Sequence, residues 1–560
     1  MNAPHSFSAL AVVAAPAAFA LAAVVAWRRP GRRPRGVERA GAAASVIGLV
    51  TAVGAVLALV AGGSVTSPTL GVDGLGLSLR LDPVSVSVFT MVTILAAVVF
   101  RYSRTYLDGD AHHGAFLGRI AATVAAVEVL VLAGNLLLLL LAWIATSLAL
   151  HRLLLFRRDR PRARLAARKK FVVARIGDVL LLSAVVILYA RYGTGDFGAL
   201  RAAITAQPAA GWTLGALSAA AVCLAVAACL KSAQFPTHGW LVELMETPTP
   251  VSALLHAGIL NAGPFLIIRC AFLVDGVAPA TTLLIVVGGC TAAFASVVLL
   301  TQPSVKVALA YSSAAHMGFM LMVCGMGFYP AAMLHLVAHS FYKAHAFLSS
   351  GSAIDEARAH GVRLPHRLGR PSRIAASAVV ALAWYAALAW AFGIDPADQP
   401  LVLAVGAILV LGTTQLVAPA FDSDGPVAGT VRASLLALLV TASFFTLEDG
   451  AHALLRGAVP EAAPRGALQL ALMTVVVLGF AAIVLGQIRE PTRTPTARRQ
   501  ALVVHLRNGF YANALFDRMV GALRITDRAT PPVAGPVAGP ITGPVTAPAL
   551  TPVAVAASAH

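Results

Sequence analysis

The chain has 560 residues, of which 58% are hydrophobic and only 12% charged, with a mean hydropathy of +0.81. Soluble globular proteins carry about 25% charged residues, so a string of soluble domains is excluded and an all-α polytopic membrane protein is expected. The net charge of +18 lies in short segments between apolar runs, not on a face with interleaved aromatics. That pattern speaks for membrane orientation and against nucleic-acid binding.

The segment Met1–Leu10 has no basic start, and the apolar run Ala9–Trp27 leads into arginines rather than a cleavage site, so it reads as a first membrane helix. Windows of about 20 apolar residues suit a membrane span. About fifteen occur: 8–27, 42–62, 83–101, 116–134, 135–156, 171–190, 211–231, 250–272, 280–301, 307–327, 331–350, 374–393, 401–420, 432–447 and 468–487. Basic loops follow odd-numbered windows. They hold Arg28, Arg29, Arg32, Arg33, Arg35 and Arg39 after the first, and Arg157 to Lys170 after the fifth. Arg358, Arg363, Arg367, Arg370 and Arg373 follow the eleventh, and Arg489, Arg493, Arg498 and Arg499 the last. Loops after even windows are poor in arginine, with Arg80, Arg191 and Arg201 as scattered exceptions. The excess of cytoplasmic Lys and Arg then predicts an external N-terminus and a cytoplasmic C-terminus. Ala501–Ile525 reads as an amphipathic surface helix, and Thr530–His560, rich in Pro, Ala, Val and Gly, as a disordered extension. The five cysteines, Cys223, Cys229, Cys270, Cys290 and Cys324, fall in apolar segments without metal-ligand spacing and read as buried, inert thiols.

Of the 42 lysines and arginines only five are lysine, yet Lys231, Lys306 and Lys343 lie within or at the edge of apolar windows. An ionised lysine at the bilayer centre costs roughly 2.5–3.5 kcal/mol, and lysine, unlike arginine, can shed its proton when desolvated. In MLHLVAHSFYKAHAFL, His335, His339 and Lys343 stand four residues apart and share one helix face, with His345 off it. Histidine passes protons near neutral pH, so this stripe predicts a proton relay. No HExxH and no nearby carboxylate supports a metal site there. Lys231 ends an apolar run, and Pro236 then interrupts the chain; a snorkelling lysine is the alternative. The next window is broken by Pro248, Pro250, Gly258, Gly263 and Pro264 and holds His256 and Asn261, the composition of an interrupted helix at a transport site. Asp178 can pair with Arg175 three residues before it or face Lys231. Glu128 is the lone carboxylate of its window, and His316 lies about three turns beyond Lys306.

The run KSAQFPTHGWLVELMETPTPVSALLHAGILNAG resembles the signature of the proton-conducting antiporter-like subunits of complex I and of Mrp sodium/proton antiporters. RKKFVVARIGD, SVKVALAYSSAAHMGFM and HLVAHSFYKAHAFLSSGS match in the same order, over about Leu81 to Ile354. Within that superfamily TSLALHRLLLF, the Glu246-Thr247-Pro248 lead-in and HAGILNAG resemble the DabB-type subunit of the inorganic carbon transporter. The resemblance implies a proton path through Lys231, Lys306, Lys343, His256, His335 and His339, with Asp178 modulating Lys231 and Glu128 as a further candidate. It also implies a DabA-like soluble zinc partner resembling carbonic anhydrase, location in the cell (inner) membrane, and no cofactor or enzymatic activity of the subunit's own. The expected division is 1–110 N-terminal membrane helices, 111–430 antiporter-like core, 431–490 C-terminal membrane helices, 491–529 amphipathic cytoplasmic segment and 530–560 tail. Two departures separate the chain from complex I subunits. Ile144, not glutamate, follows Trp143, and no lysine or arginine occurs between Arg373 and Arg432. A respiratory pump subunit and a sodium/proton antiporter subunit are the alternative expectations.

Overall fold

A computed structural model describes residues 9–32, 34–157, 159–206, 215–352, 370–394, 400–423, 426–461, 463–489 and 496–519. Arg33, Arg358, Arg363, Arg367, Arg493, the end of the amphipathic segment at Ile525 and the extension 530–560 lie outside the described residues. The protein is an all-α polytopic membrane protein. Its first half runs α1 (Ala14–Arg28), α2 (Arg35–Gly62), α3 (Pro83–Tyr106), α4 (His113–Leu132), α5 (Leu136–Leu154), α6 (Pro161–Tyr192) and the short α7 (Phe197–Thr205). Next come α8 (Ala216–Lys231), α9 (Thr249–Ala257), α10 (Ala262–Arg269), α11 (Ala278–Leu299), α12 (Val305–Met326) and α13 (Tyr329–Leu348). The chain continues through α14 (Pro371–Ala391), α15 (Pro400–Phe421), α16 (Val427–Leu455) and α17 (Ala467–Arg489). The described residues end with α18 (Ala497–Arg507) and α19 (Ala512–Met519).

Among the described residues 13 helices are long and apolar enough to cross a membrane. The two remaining windows also fold as helices. They fall short of that measure because α8 has 16 residues and α13 carries His335, His339, Lys343 and His345. Several boundaries differ from expectation, among them α16, which runs Val427–Leu455 where 432–447 was expected. Helix α2 begins at Arg35 and α6 at Pro161, so Arg35, Arg39, Arg164, Arg168, Lys169 and Lys170 sit on helix ends rather than in loops. Proline at the first helical position has no N–H to leave unpaired, which suits Pro161 to starting a helix within a basic run. The amphipathic segment is two helices, bent at Phe510 (φ 48°). Between α2 and α3 the chain also forms small antiparallel ribbons. Val65–Thr66 (β1) pairs with Arg80–Leu81 (β4), and Leu70–Val72 (β2) with Leu75–Leu77 (β3). Asp73 and Gly74 turn the inner ribbon at φ 49° and 72°, the double left-handed geometry that Asp-Gly favours in a two-residue hairpin. All five cysteines are free, but Cys290 is exposed and Cys223 half-buried, so only three of the thiols are buried as expected.

Two ion-paired joints fix the ends of the central helices. Asp82 caps α3 by accepting from the Ser85 N–H, and its carboxylate also holds Arg269 at the end of α10 (2.5 and 3.2 Å) and Arg80 (2.7 Å). Asp275, after α10, binds Arg465 ahead of α17 (2.5 Å) and accepts from the Tyr329 hydroxyl (3.0 Å) and the Ala463 N–H (2.7 Å). Helices α11 and α12 meet at facing glycines. A Cβ on Gly288 would stand 2.5 Å from the Gly318 oxygen, and one on Gly318 would stand 2.6 Å from the Gly288 oxygen. Small residues let helix backbones approach closely where lipid gives no hydrophobic drive between helices. Gly318→Leu should therefore force the pair apart, at about 1–3 kcal/mol or more. Loss of monodisperse protein in detergent is the expected outcome. Gly412→Leu, with no atom within 4 Å of its Cβ, should leave the elution profile unchanged.

Candidate functional site: a row of buried amines and imidazoles

Two breaks in the helical backbone meet at the centre. Helix α8 ends at Lys231, and two residues later Ala233 adopts a left-handed φ of 51°. Gly258 (φ −121°, ψ −63°) leaves the helical region between α9 and α10, and Ile259–Asn261 form one tight turn. Side chains satisfy the freed carbonyls. The Ser232 hydroxyl donates to the Leu260 oxygen (2.8 Å), and the Asn261 amide donates to the Ala257 oxygen (2.9 Å) and to Ser340 Oγ of α13 (2.7 Å). Gly263 allows the two breaks to touch, since a Cβ there would stand 2.1 Å from Ser232 Oγ. The prolines and glycines of this region thus mark a real interruption, packed inside protein, where irregular backbone at membrane depth is tolerated.

Lys231 does not snorkel. It is 9% exposed, its Nζ donates to the Trp143 oxygen (3.3 Å), and it lies 4.2 Å above the Trp143 ring. Asp178, 6% exposed, pairs with Arg175 at 2.7 Å, one turn away, and shares its electrostatic surroundings with Lys231 and Lys170. Both readings of Asp178 therefore have a counterpart: the Arg175 pair is formed, and Lys231 is a second cation acting on the same carboxylate.

Lys343 is fully buried. Its amine donates to Ser312 Oγ (2.6 Å) and to the Leu309 oxygen of α12 (3.4 Å), with the Tyr342 ring 5.4 Å away. One turn back on α13, His339 and His335 close on His316 of α12. The His316 ring lies 5.0 Å from His339 and 5.2 Å from His335, and those two are 6.1 Å apart. Neither His339 nitrogen, nor His335 Nε2, nor His316 Nδ1 has a hydrogen-bond partner among the described residues, although all are buried. His256 stacks on Phe347 at 4.3 Å, and Lys343, when protonated, acts electrostatically on all four imidazoles. His345 is exposed, off the stripe as its position requires. Lys306 is half-buried and donates to Thr249 Oγ1 (2.9 Å), which in turn approaches the Tyr106 hydroxyl (3.4 Å). Glu128 is fully buried, with one oxygen 3.4 Å from the Thr93 hydroxyl and the other without a hydrogen-bond partner among the described residues. Its helix neighbours Val127, Leu130 and Val131 line a small cavity that also touches Gly258 and Asn261 of the break.

The structure thus gathers the expected residues into two groups. Lys231, Asp178, Arg175 and Trp143 form one, and Lys343, His335, His339 and His316 the other, with His256 beside the second group, Lys306 at the start of α12 and Glu128 set apart on α4. Sequence reasoning missed the partners. Ser147 and Ser312 hold buried amines, and Lys169 and Lys170, read as loop charges, are 1% and 4% exposed. Lys169 binds both Glu243 oxygens (2.7 Å), Asn513 (3.3 Å) and Asp517, fastening α19 to the core. Lys170 stands eight residues before Asp178, the same spacing as His335 and Lys343, and that face was readable in the sequence.

Comparison with known proteins gives this arrangement a class. Residues 133–388 match the family model described as NADH:quinone oxidoreductase/Mrp antiporter, TM, and residues 72–117 match the N-terminus of complex I chain 5. The solved Mrp complex from Dietzia sp. covers 93% of this chain with 60% of its own, at TM-score 0.61 and 26% identity. The fold is that of an antiporter-like membrane subunit. A protein of Halothiobacillus neapolitanus described as "probable inorganic carbon transporter subunit DabB2" is 37% identical over 452 residues, 80% of this chain and 81% of that one. Escherichia coli NADH-quinone oxidoreductase subunit L is also 37% identical, but over 287 residues, 51% of this chain and 46% of that one. The chain belongs to the DabB family of inorganic carbon transporter subunits.

Asn261 offers a direct test of the break. Asn261→Leu keeps an apolar volume but strips the Ala257 oxygen and Ser340 of their shared donor, at about 1–3 kcal/mol for the buried group left unpaired. A lowered melting temperature in detergent with unchanged oligomeric size is expected.

Proposed function

We propose that this chain is the membrane subunit of an energy-coupled inorganic carbon uptake complex. It conducts protons, or another cation, down their gradient and so drives a soluble DabA-like zinc partner, resembling carbonic anhydrase, that captures CO2 as bicarbonate. Lys231, Lys306, Lys343, His256, His335 and His339 line the path, Asp178 sets the charge balance at Lys231, and Glu128 is a side station. The observation that carries the reading is the burial of Lys231 and Lys343 on carbonyl and hydroxyl oxygens, with no ion-pair carboxylate among the described residues. An amine in that setting can gain and lose a proton, which a salt-bridged or arginine cation cannot readily do. The family supports the carbon substrate, and the wider antiporter-like class supports ion translocation.

The same reading puts the protein in the cell (inner) membrane, its N-terminus outside and its C-terminus in the cytoplasm, following the alternation of basic segments. The core 111–430 carries conduction, and 1–110 and 431–490 are flanking membrane helices. A second reading, a pump subunit of a respiratory quinone reductase, draws on the similarity to subunit L. Ile144 after Trp143 weighs against it, since complex I subunits carry a glutamate there.

Lys343→Ala should abolish carbon-dependent growth in ambient air, while membrane insertion and abundance stay at wild-type levels. Growth of the variant at the wild-type rate would remove Lys343 from the path. Co-purification from native membranes should bring down a zinc protein and not a set of respiratory subunits.

A further inference from the structure

Lys169 and Lys170 are adjacent in sequence, yet about 100° of helix rotation sends them to opposite surroundings. Lys169 meets the carboxylates of Glu243 and Asp517. Lys170 meets none. Its amine donates to the Ser147 oxygen (2.7 Å) and hydroxyl (2.9 Å) on α5, it is 4% exposed, and it makes no ion pair among the described residues. The charges acting on it are Lys231 on α8 and Arg175 and Asp178 on its own helix. Of these, Asp178 is engaged by Arg175 at 2.7 Å.

Lys170 and Lys231 line the same small cavity. Its other walls are apolar, among them Leu150, Val173, Leu230 and Ile259, apart from the indole of Trp240, whose Nε1–H has no hydrogen-bond partner among the described residues. The two amines are the only charged groups on that lining, so any water admitted there finds them as its ionic partners. With both amines protonated, three cations would share one carboxylate inside the membrane, and like charges in low dielectric disfavour each other. Arginine cannot relieve that repulsion, but either lysine can, by releasing its proton.

We propose that Lys170 is the group with which Lys231 exchanges protons across this cavity. The step moves one proton from the ammonium of one lysine to the neutral amine of the other, through an intervening water, with no other bond made or broken. The proposal rests on the reading of Lys231 as part of the ion path.

The test uses everted vesicles carrying the native assembly, with a dye that reports proton movement, and compares Lys170→Arg, Lys170→Gln and Lys231→Ala with wild type. Lys170→Arg keeps the charge and can keep the Ser147 bonds but cannot release a proton. Lys170→Gln keeps a donor without the charge. At wild-type assembly, checked by size-exclusion chromatography, both are expected to lower proton flux at least 10-fold. The double variant Lys170→Gln/Lys231→Ala should be no slower than Lys231→Ala alone, because the two residues serve one step. Flux within twofold of wild type in Lys170→Arg would reduce Lys170 to a charged tether and overturn the proposal. If Lys170→Arg fails to assemble, Lys170→Gln decides on the same criterion. Additive losses in the double variant would place the lysines on separate routes and also overturn it. Wild-type flux in Lys231→Ala would instead overturn the wider reading of the path, an outcome distinguishable because it does not involve Lys170.

Discussion

A protonated amine taken out of water must recover its lost hydration from the groups around it, or give up the proton. That requirement organises the centre of this molecule. Lys231 is given a carbonyl and an indole face, and Lys343 a hydroxyl and a carbonyl. These partners stabilise a cation less than a carboxylate would. Both sets come from helices that run unbroken, the Trp143 oxygen from α5 and the Leu309 and Ser312 oxygens from α12. The turn after Lys231 and the break at Gly258–Asn261 free carbonyls that regular helices would have used internally, and Ser232 and Asn261 secure the loose ends. The interruption of α9–α10 thus has its own side-chain closure and lies beside the buried amines without supplying their partners.

The surrounding architecture keeps this arrangement rigid. Asp82 ties the end of α10 to the start of α3, Asp275 ties the chain after α10 to the segment before α17, and Lys169 ties α19 to the loop that follows Lys231. The Asp82–Arg269 and Asp275–Arg465 pairs are buried, and the third sets a buried lysine against half-buried carboxylates; removing one partner from a buried pair costs several kcal/mol because the other is left uncompensated. The three joints lie around the broken helix rather than within it.

The helical plan was legible because windows of about 20 apolar residues follow directly from bilayer thickness. Among the described residues all fifteen windows fold as helix, the eighth of them broken at Gly258. The stripe His335, His339, Lys343 was legible for an equally local reason, the 3.6-residue period. What the sequence hid was partnership across helices. Nothing local says that His316 of α12 closes on His335 and His339 of α13, that Ser312 holds Lys343, or that Ser147 holds Lys170. The basic run Arg157–Lys170 misled because charge density was taken to end the membrane segment, whereas Pro161 starts a helix of 32 residues that carries two of those lysines into the protein. The Asp73-Gly74 hairpin left a plain local signal that the apolar windows obscured.

The distribution of charge also limits where an amine-based path can run. Lysine is confined to α6, α8, α12 and α13, and no lysine or arginine occurs between Arg373 and Arg432. In the later bundle Gln415 of α15 meets Gln487 of α17 at 2.6 Å, a neutral contact in which neither partner can carry a proton away. Buried carboxylates, not amines, would have to extend the route there, and Glu448 of α16 has an oxygen without a hydrogen-bond partner among the described residues. Lys306 offers a nearer end. It sits at the start of α12, half-buried, and joins Thr249 at the head of the broken helix and, through it, Tyr106 at the end of α3. That places hydroxyl groups from two further helices beside an amine that solvent can partly reach. A path that runs from Lys231 past His256 and Lys343 and leaves by Lys306 needs no amine in the later bundle, so the missing lysine there is consistent with a shorter route rather than a broken one.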